Sequence, residues 1–203
     1  MKLTIKSILI FVGLLLINSE VLAEINPNQF IDVRAQAMVK VIRSNQSLYL
    51  SDPDLFKAKI NTIFEPMVDF RRVGASVMGK KFYSAATSQQ RKLFIETFRK
   101  SLLDTYSSTL AQWGDQRIET IFPDSLEFDK TEDVHQNLIT SNNIYPITYK
   151  VRNDGQGNWL IINIIVNGVN LGLTFRNQFQ ALAAENNNNI DSIIKNWTSD
   201  ANL

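Results

Sequence analysis

The chain of 203 residues contains no cysteine and a single histidine, His135. Disulfides, thiolate nucleophiles and a lipid-modified N-terminal cysteine are excluded. Zinc coordination has neither thiolates nor a second imidazole to draw on. No G-x-S-x-G elbow is present to hold a serine for His135, so a Ser-His-Asp triad lacks its scaffold. An excess of one charge is missing too: 21 Lys and Arg stand against 20 Asp and Glu. Setting aside Lys2, Lys6 and Glu20 with the N-terminal leader described below leaves the two signs equal, and nucleic acid as a partner loses its electrostatic support. Repeats and low-complexity linkers are absent, the run Asn186 to Asn189 being too short to count.

One long apolar run exists, Ile8 to Ile17, and it is short of the ~20 residues that cross a hydrocarbon layer. Lys2 and Lys6 precede it and Val21-Leu22-Ala23 follow. That order of charge, apolar run and small residue is a secretory signal peptide over 1–23. The expectation is an exported, soluble mature chain, with 24–203 forming one domain.

Past the leader, apolar positions recur first at helical and then at strand spacing. Phe30, Val33, Ala37 and Val41, with Ile31, Met38 and Ile42 beside them, predict a long amphipathic helix between Pro27 and Leu50. Asp52-Pro53 is an N-cap followed by proline, and predicts a second helix to about Pro66. Asp69 to Met78 reads as a short third helix closed by Gly79. Thr87 and Gln90 have capping-box spacing, and Leu93, Phe94, Phe98, Leu102, Tyr106, Leu110 and Trp113 keep one apolar face as far as Gly114. Strands are expected at 117–122, 134–141, 145–153 and 159–166, then a helix over 169–185 and a last one over 190–197. Helices, a meander, then helices again make an α+β layout: a curled antiparallel sheet of about four strands with helices packed on one face.

The stretch Trp159 to Val166, WLIINIIV, is apolar in both registers: Leu160, Ile162, Ile164 and Val166 on one face, Trp159, Ile161, Asn163 and Ile165 on the other. Only Asn163 interrupts. Such a strand is either covered on both sides or lines something apolar.

Several constellations fall short of chemistry. Gly74 to Lys81 has the glycines and lysine of a phosphate-binding loop, but Lys81 stands where a hydroxyl should hold magnesium and DFRRV precedes it in place of a buried strand. Asp69 or Asp104, with Tyr106, Tyr145 or Tyr149 as donor, is the set a small-molecule enzyme would use in an apolar pocket; Asp69 reads equally as a helix cap. Asn45 and Asn196 sit in glycosylation-type triplets and are given no functional weight. Charge is unevenly spread. Between Lys57 and Lys100 ten basic residues face three acids, and between Asp115 and Asp133 seven acids face two bases. Such runs are solvated faces or steer docking onto charged partners, and the latter is the reading of the chain as a protein-interaction module.

Two segments, DFRRVGASVMGKKF (69–82) and VNGVNLGLTFRNQF (166–179), resemble the toluene-tolerance (organic-solvent-resistance) or MlaC family, and the resemblance covers almost the whole mature chain in order. It implies a cystatin-like or NTF2-like sheet whose helices enclose an apolar pocket, and a periplasmic carrier of phospholipid without catalytic residues, metal or cofactor beyond the lipid cargo. It further implies exchange between an outer-membrane lipoprotein–porin complex and an inner-membrane ABC transporter, maintaining outer-membrane lipid asymmetry.

On that reading the pocket lies between helices and sheet. Its expected lining is Val73, Val77, Met78, Phe98, Leu102, Tyr106, Tyr145, Ile147, Tyr149, Val151, Ile162, Ile164, Val166, Leu171 and Phe175. Periodicity does not separate a lining from a filling, so each is equally a core position. Arg71, Arg72, Lys80, Lys81 and Arg176 are the candidates for docking or head-group contact. Arg176, amid Leu171, Phe175 and Phe179, has alternative uses in capping a carbonyl or pairing with an acid.

Overall fold

The computed structural model describes residues 26–125 and 127–200. The expected leader, 1–23, lies outside them. Helix α1, Pro27–Asn45, starts at Asn26, whose side chain accepts from the amides of Asn28 and Gln29 at 2.8 and 3.4 Å. Its buried stripe is Phe30, Ile31, Ala35, Val39 and Ile42. The predicted stripe ran through Val33, which is 56% exposed. Both stripes have helical spacing, and the sheet beneath the helix selects between them. A one-turn helix, α2 (Leu48–Ser51), leads into α3 (Pro53–Phe64), capped by Asp52 through the Leu55 amide at 3.0 Å. A 3-10 turn, Glu65–Met67, follows.

Helix α4, Phe70–Ala85, is longer than the predicted third helix. Gly79 breaks it (φ 72°, ψ 161°) without ending it. Helix α5, Ser88–Ala111, begins at the predicted capping box, Thr87 and Gln90 bonding reciprocally at 2.9 and 3.1 Å.

The sheet is an antiparallel meander in the order β1 (Arg117–Ile121), β2 (Thr131–Ile139), β3 (Ile144–Asn153), β4 (Trp159–Val166), β5 (Val169–Asn170). The two-residue β5 was expected to be the first turn of a helix. Asn167 and Gly168 both have positive φ, 48° and 83°. That is the signature of a tight hairpin turn, so Val169 and Asn170 double back onto Val166 and Ile165 before α6 (Leu171–Glu185) begins. Helix α7, Ile190–Lys195, is the last element of the described chain.

Three apolar clusters form. The helical one surrounds Phe94, with the rings of Phe179 and Trp197 at 5.1 and 5.3 Å, edge to face. The sheet cluster joins Phe30, Ile31 and Met67 to Val134, Val151, Trp159 and Ile161. A smaller one, Ile42, Phe56 and Ile60, ties α1 to α3 and is flanked by Leu103 and Leu110 of α5.

Candidate functional site

The three clusters leave space between them, although Val68 packs against both the helical and the sheet cluster. Between them is a cavity of about 280 Å³ lined by seventeen of the described residues, none of them charged. Helix α5 supplies the longest wall: Phe98, Leu102, Leu103, Tyr106 and Leu110 fall on one stripe, spanning about 18 Å at 1.5 Å per residue. Met38 of α1, Ile60 and Phe64 of α3, and Phe70 and Val73 of α4 complete the helical side. Val68, Ile161, Asn163, Ile164, Leu171, Gly172 and Phe175 close the opposite side. Two ring pairs, Phe64–Phe70 and Phe98–Phe175, each edge to face at 5.4 Å, stiffen the walls.

The sheet wall depends on a bulge in β4. Val151 pairs with Ile161 and Lys150 with Asn163, which leaves Ile162 as an extra residue. An inserted residue shifts the alternation of faces, so Trp159 and Ile161 before it share the covered face with Ile164 and Val166 after it. The strand is therefore apolar in both registers because it uses one register on each side of the bulge. The same irregularity lets the Ile161 carbonyl accept from the Asp69 amide at 3.0 Å, which fixes the start of α4 beside the strand.

Asn163, the one interruption in the strand's apolar rows, is a tie. Its Oδ1 accepts from the Gly172 amide and its Nδ2 donates to Asn170 Oδ1, both at 3.0 Å, while Asn170 Oδ1 also accepts from the Leu173 amide at 3.1 Å. A Cβ on residue 172 would stand 2.5 Å from Asn163 Oδ1, so glycine is required for this approach. The N-terminal amides of α6 are thereby satisfied by side chains.

Of the expected lining, the cavity brings together Val73, Phe98, Leu102, Tyr106, Ile164, Leu171 and Phe175. Val77 and Met78 are fully buried in the helical cluster. Val151 is fully buried, and Tyr149 packs beside it, in the cluster that Phe30 and Ile31 of α1 complete. Ile147 is buried on the same sheet face, Tyr145 accepts from Asn143 Nδ2 at 3.3 Å, and Ile162 and Val166 are half-buried outside the lining. The physical reason is α1: it fills the space over β2 and β3 and confines the cavity to the strip beside β4. Burial pushes the Tyr149 hydroxyl well above its usual range.

Sequence reasoning left out ten lining residues. Ile60, Phe64 and Leu110 were visible as apolar helix faces, and Asn163 as an interruption. Ile161 was hidden by the bulge.

No candidate cation lines the cavity. Arg72 pairs with the capping carboxylate of Asp69 at 3.3 Å, and Lys81 Nζ lies 4.9 Å over the Phe82 ring. Arg71 and Lys80 are exposed. Arg176 lies against the α4 break, its Nη2 3.3 Å from where a Cβ of residue 79 would be, and Gln180 Nε2 donates to the freed Met78 carbonyl at 3.3 Å. The carboxylates are outside as well. Asp69 caps α4 through the Arg72 amide at 2.9 Å, and Asp104 pairs with Lys57 at 2.8 Å. His135 bonds Thr148 at 3.1 Å on the outer face of the sheet.

The family described as MlaC protein matches residues 33–199. Among curated relatives, the toluene tolerance protein ttg2D of Pseudomonas putida is 32% identical over 176 residues, 86% of this chain and 80% of its own. The intermembrane phospholipid transport system binding protein MlaC of Haemophilus influenzae is 25% identical over 159 residues, 77% and 74% of the two chains. A phospholipid-binding protein from Ralstonia solanacearum, solved with a phospholipid, superposes with a TM-score of 0.61 over 79% of this chain and 93% of that one. At 24% identity that likeness is one of fold.

Proposed function

The chain belongs to the MlaC family, and from this we propose that it carries phospholipid, holding acyl chain in the cavity beside α5. The observation that carries the reading is a cavity walled by three filled clusters with no charged group in its lining. Such a chamber has nothing to offer but shelter from water. Its α5 wall, about 18 Å long, suits one extended acyl tail, half of a hydrocarbon layer ~30 Å thick. Burying a dozen methylenes is worth about 10 kcal/mol gross at ~0.8 kcal/mol each, and ordering the chain offsets much of it, so release remains feasible. Among the described residues no acid lines the cavity.

The finer proposal follows the family. The chain is exported by a cleaved leader over 1–23, and 24–203 works in the periplasm as one domain. It exchanges lipid between an outer-membrane lipoprotein–porin complex and an inner-membrane ABC transporter, sustaining outer-membrane asymmetry. The head group stays outside, because the α6 N-terminus nearest the cavity is occupied by Asn163 and Asn170.

Native mass spectrometry of the mature chain, prepared from periplasm without detergent, tests this. The expected spectrum carries a phospholipid mass that the Ile164→Trp variant loses while staying folded. A bare mass, persisting after incubation with phospholipid vesicles, overturns the carrier.

A further inference from the structure

We propose that the groove between α4 and α5, on the far side of these helices from the cavity, docks an acidic helix of a partner protein. Gly74 sets the groove's depth: a Cβ there would come 2.9 Å from Ile95 Cγ1, so the helices cross closely and Ile95 becomes the floor. The open trough holds about 550 Å³ and is lined by Arg71, Arg91, Lys92 and Arg99 against one acid, Glu96. Arg71 comes from α4; Lys92, Glu96 and Arg99, with Arg91 beside Lys92, fall at three- and four-residue steps along α5, on a stripe next to the one that faces the cavity.

The cations differ in readiness. Arg91 is pre-set: its Nε donates to the Tyr83 carbonyl at 2.7 Å and its guanidinium lies 4.5 Å over the Tyr83 ring. Its Nη2 also donates to the Ser84 carbonyl at 3.4 Å, which leaves Nη1 of the fork for a partner. Lys92 reaches Glu96 only at 3.9 Å, both side chains being mostly exposed, a pairing easily exchanged. Arg99 is engaged with Glu65 at the rim. Arg71 has no acid contact among the described residues. The positive field therefore has two poles, Arg71 with Arg99 at one end and Arg91 with Lys92 at the other.

The geometry selects the occupant. From Lys92 to Arg99 is about 11 Å along the helix at 1.5 Å per residue. Two acids seven residues apart on a partner helix match that distance, with an apolar residue midway to sit on Ile95. A bilayer surface is flat and meets convex ridges, whereas these charges line a trough. The inference concerns the outer side of α4 and α5 and is independent of what the cavity holds.

The test uses the full mature chain and a synthetic helical peptide with glutamates at positions i and i+7 and leucine between. Fluorescence anisotropy should show binding that weakens at least tenfold in Arg71→Glu and in Lys92→Glu, and survives Arg71→Lys. Carbodiimide coupling should place the adduct chiefly on Lys92. Unchanged affinity in both charge reversals, or adducts spread over Lys80, Lys81 and Lys100, overturns the proposal. So does anionic vesicle binding with the same dependence, which would make the groove a membrane contact, or a dimer abolished by Arg71→Glu, which would make the occupant a second copy.

Discussion

Phe94 and Leu102 stand two turns apart on α5 and have opposite surroundings. Phe94 is fully buried, ringed by Phe98, Phe179 and Trp197 at centroid distances of 5.1 to 6.0 Å. Leu102 faces the cavity. Both belong to the same apolar stripe. The difference lies in what faces them: Phe179 of α6 and Trp197, just past α7, bring aromatic rings that fill the space before Phe94, whereas α3 and β4 are held off from Leu102. Polar ties hold them off, namely Lys57 to Asp104, Asn163 to the Gly172 amide, and the Asp69 amide to the Ile161 carbonyl. Apolar pattern decides that a surface is buried, and a few polar contacts decide whether the buried space is filled.

The sharpest way to break this contrast is truncation on each side of it. Phe94→Ala removes a ring from a closed aromatic cluster and should cost about 3–5 kcal/mol, read from the urea midpoint at constant m. Leu102→Ala widens an existing void, leaves fewer contacts to lose, and should cost under about 2 kcal/mol, below the usual core value. Equal losses would mean the cavity is packed in solution.

The next effect is on the ties. Asn163→Leu leaves the Gly172 amide without its acceptor and removes one of the two donors to Asn170 Oδ1, and should cost about 1–3 kcal/mol, the range for an unsatisfied buried group. Gly172→Ala, whose methyl collides with the same Oδ1 at 2.5 Å, should loosen the wall in the same way. In both, bound lipid measured by organic extraction should fall more than the thermal midpoint does. A proportional fall would show Asn163 acting on stability alone.

These ties mark where the sequence was readable and where it was not. Caps and periodicity gave most of the helices and four of the strands, because Asp52, Asp69 and Thr87 act on their own neighbours. The helical wall was half legible, since Phe98, Leu102 and Tyr106 announce a face but not what lies opposite. Val77, Met78, Tyr149 and Val151 have the same pattern and meet α6 or α1 instead. The β4 bulge was illegible as such: its trace was a strand apolar in both registers, and only pairing with β3 shows which residue is extra.

The smallest effect is expected at the outer edge of the wall, where Lys57 of α3 bonds both Asp54 and Asp104 at 2.8 Å. The two aspartates raise the Lys57 pKa, first through their hydrogen bonds, and Lys57 lowers that of Asp54 in the same way. A raised lysine stabilises the fold below its unfolded pKa, ~10.4, and that contribution is lost as pH rises through the folded value. A lowered aspartate stabilises above ~3.9 and fails as pH falls through its folded value. The bridge thus operates between these limits and opens at either end. Because the groups are largely in water, Lys57→Met should cost no more than about 1 kcal/mol, and less at high salt. If α3 forms the movable side of the cavity, the variant should release lipid to acceptor vesicles faster at neutral pH, and match the unmodified chain above the lysine's titration. Release that is unchanged at both pH values would assign the bridge to the surface and leave Asn163 as the tie that keeps the cavity open.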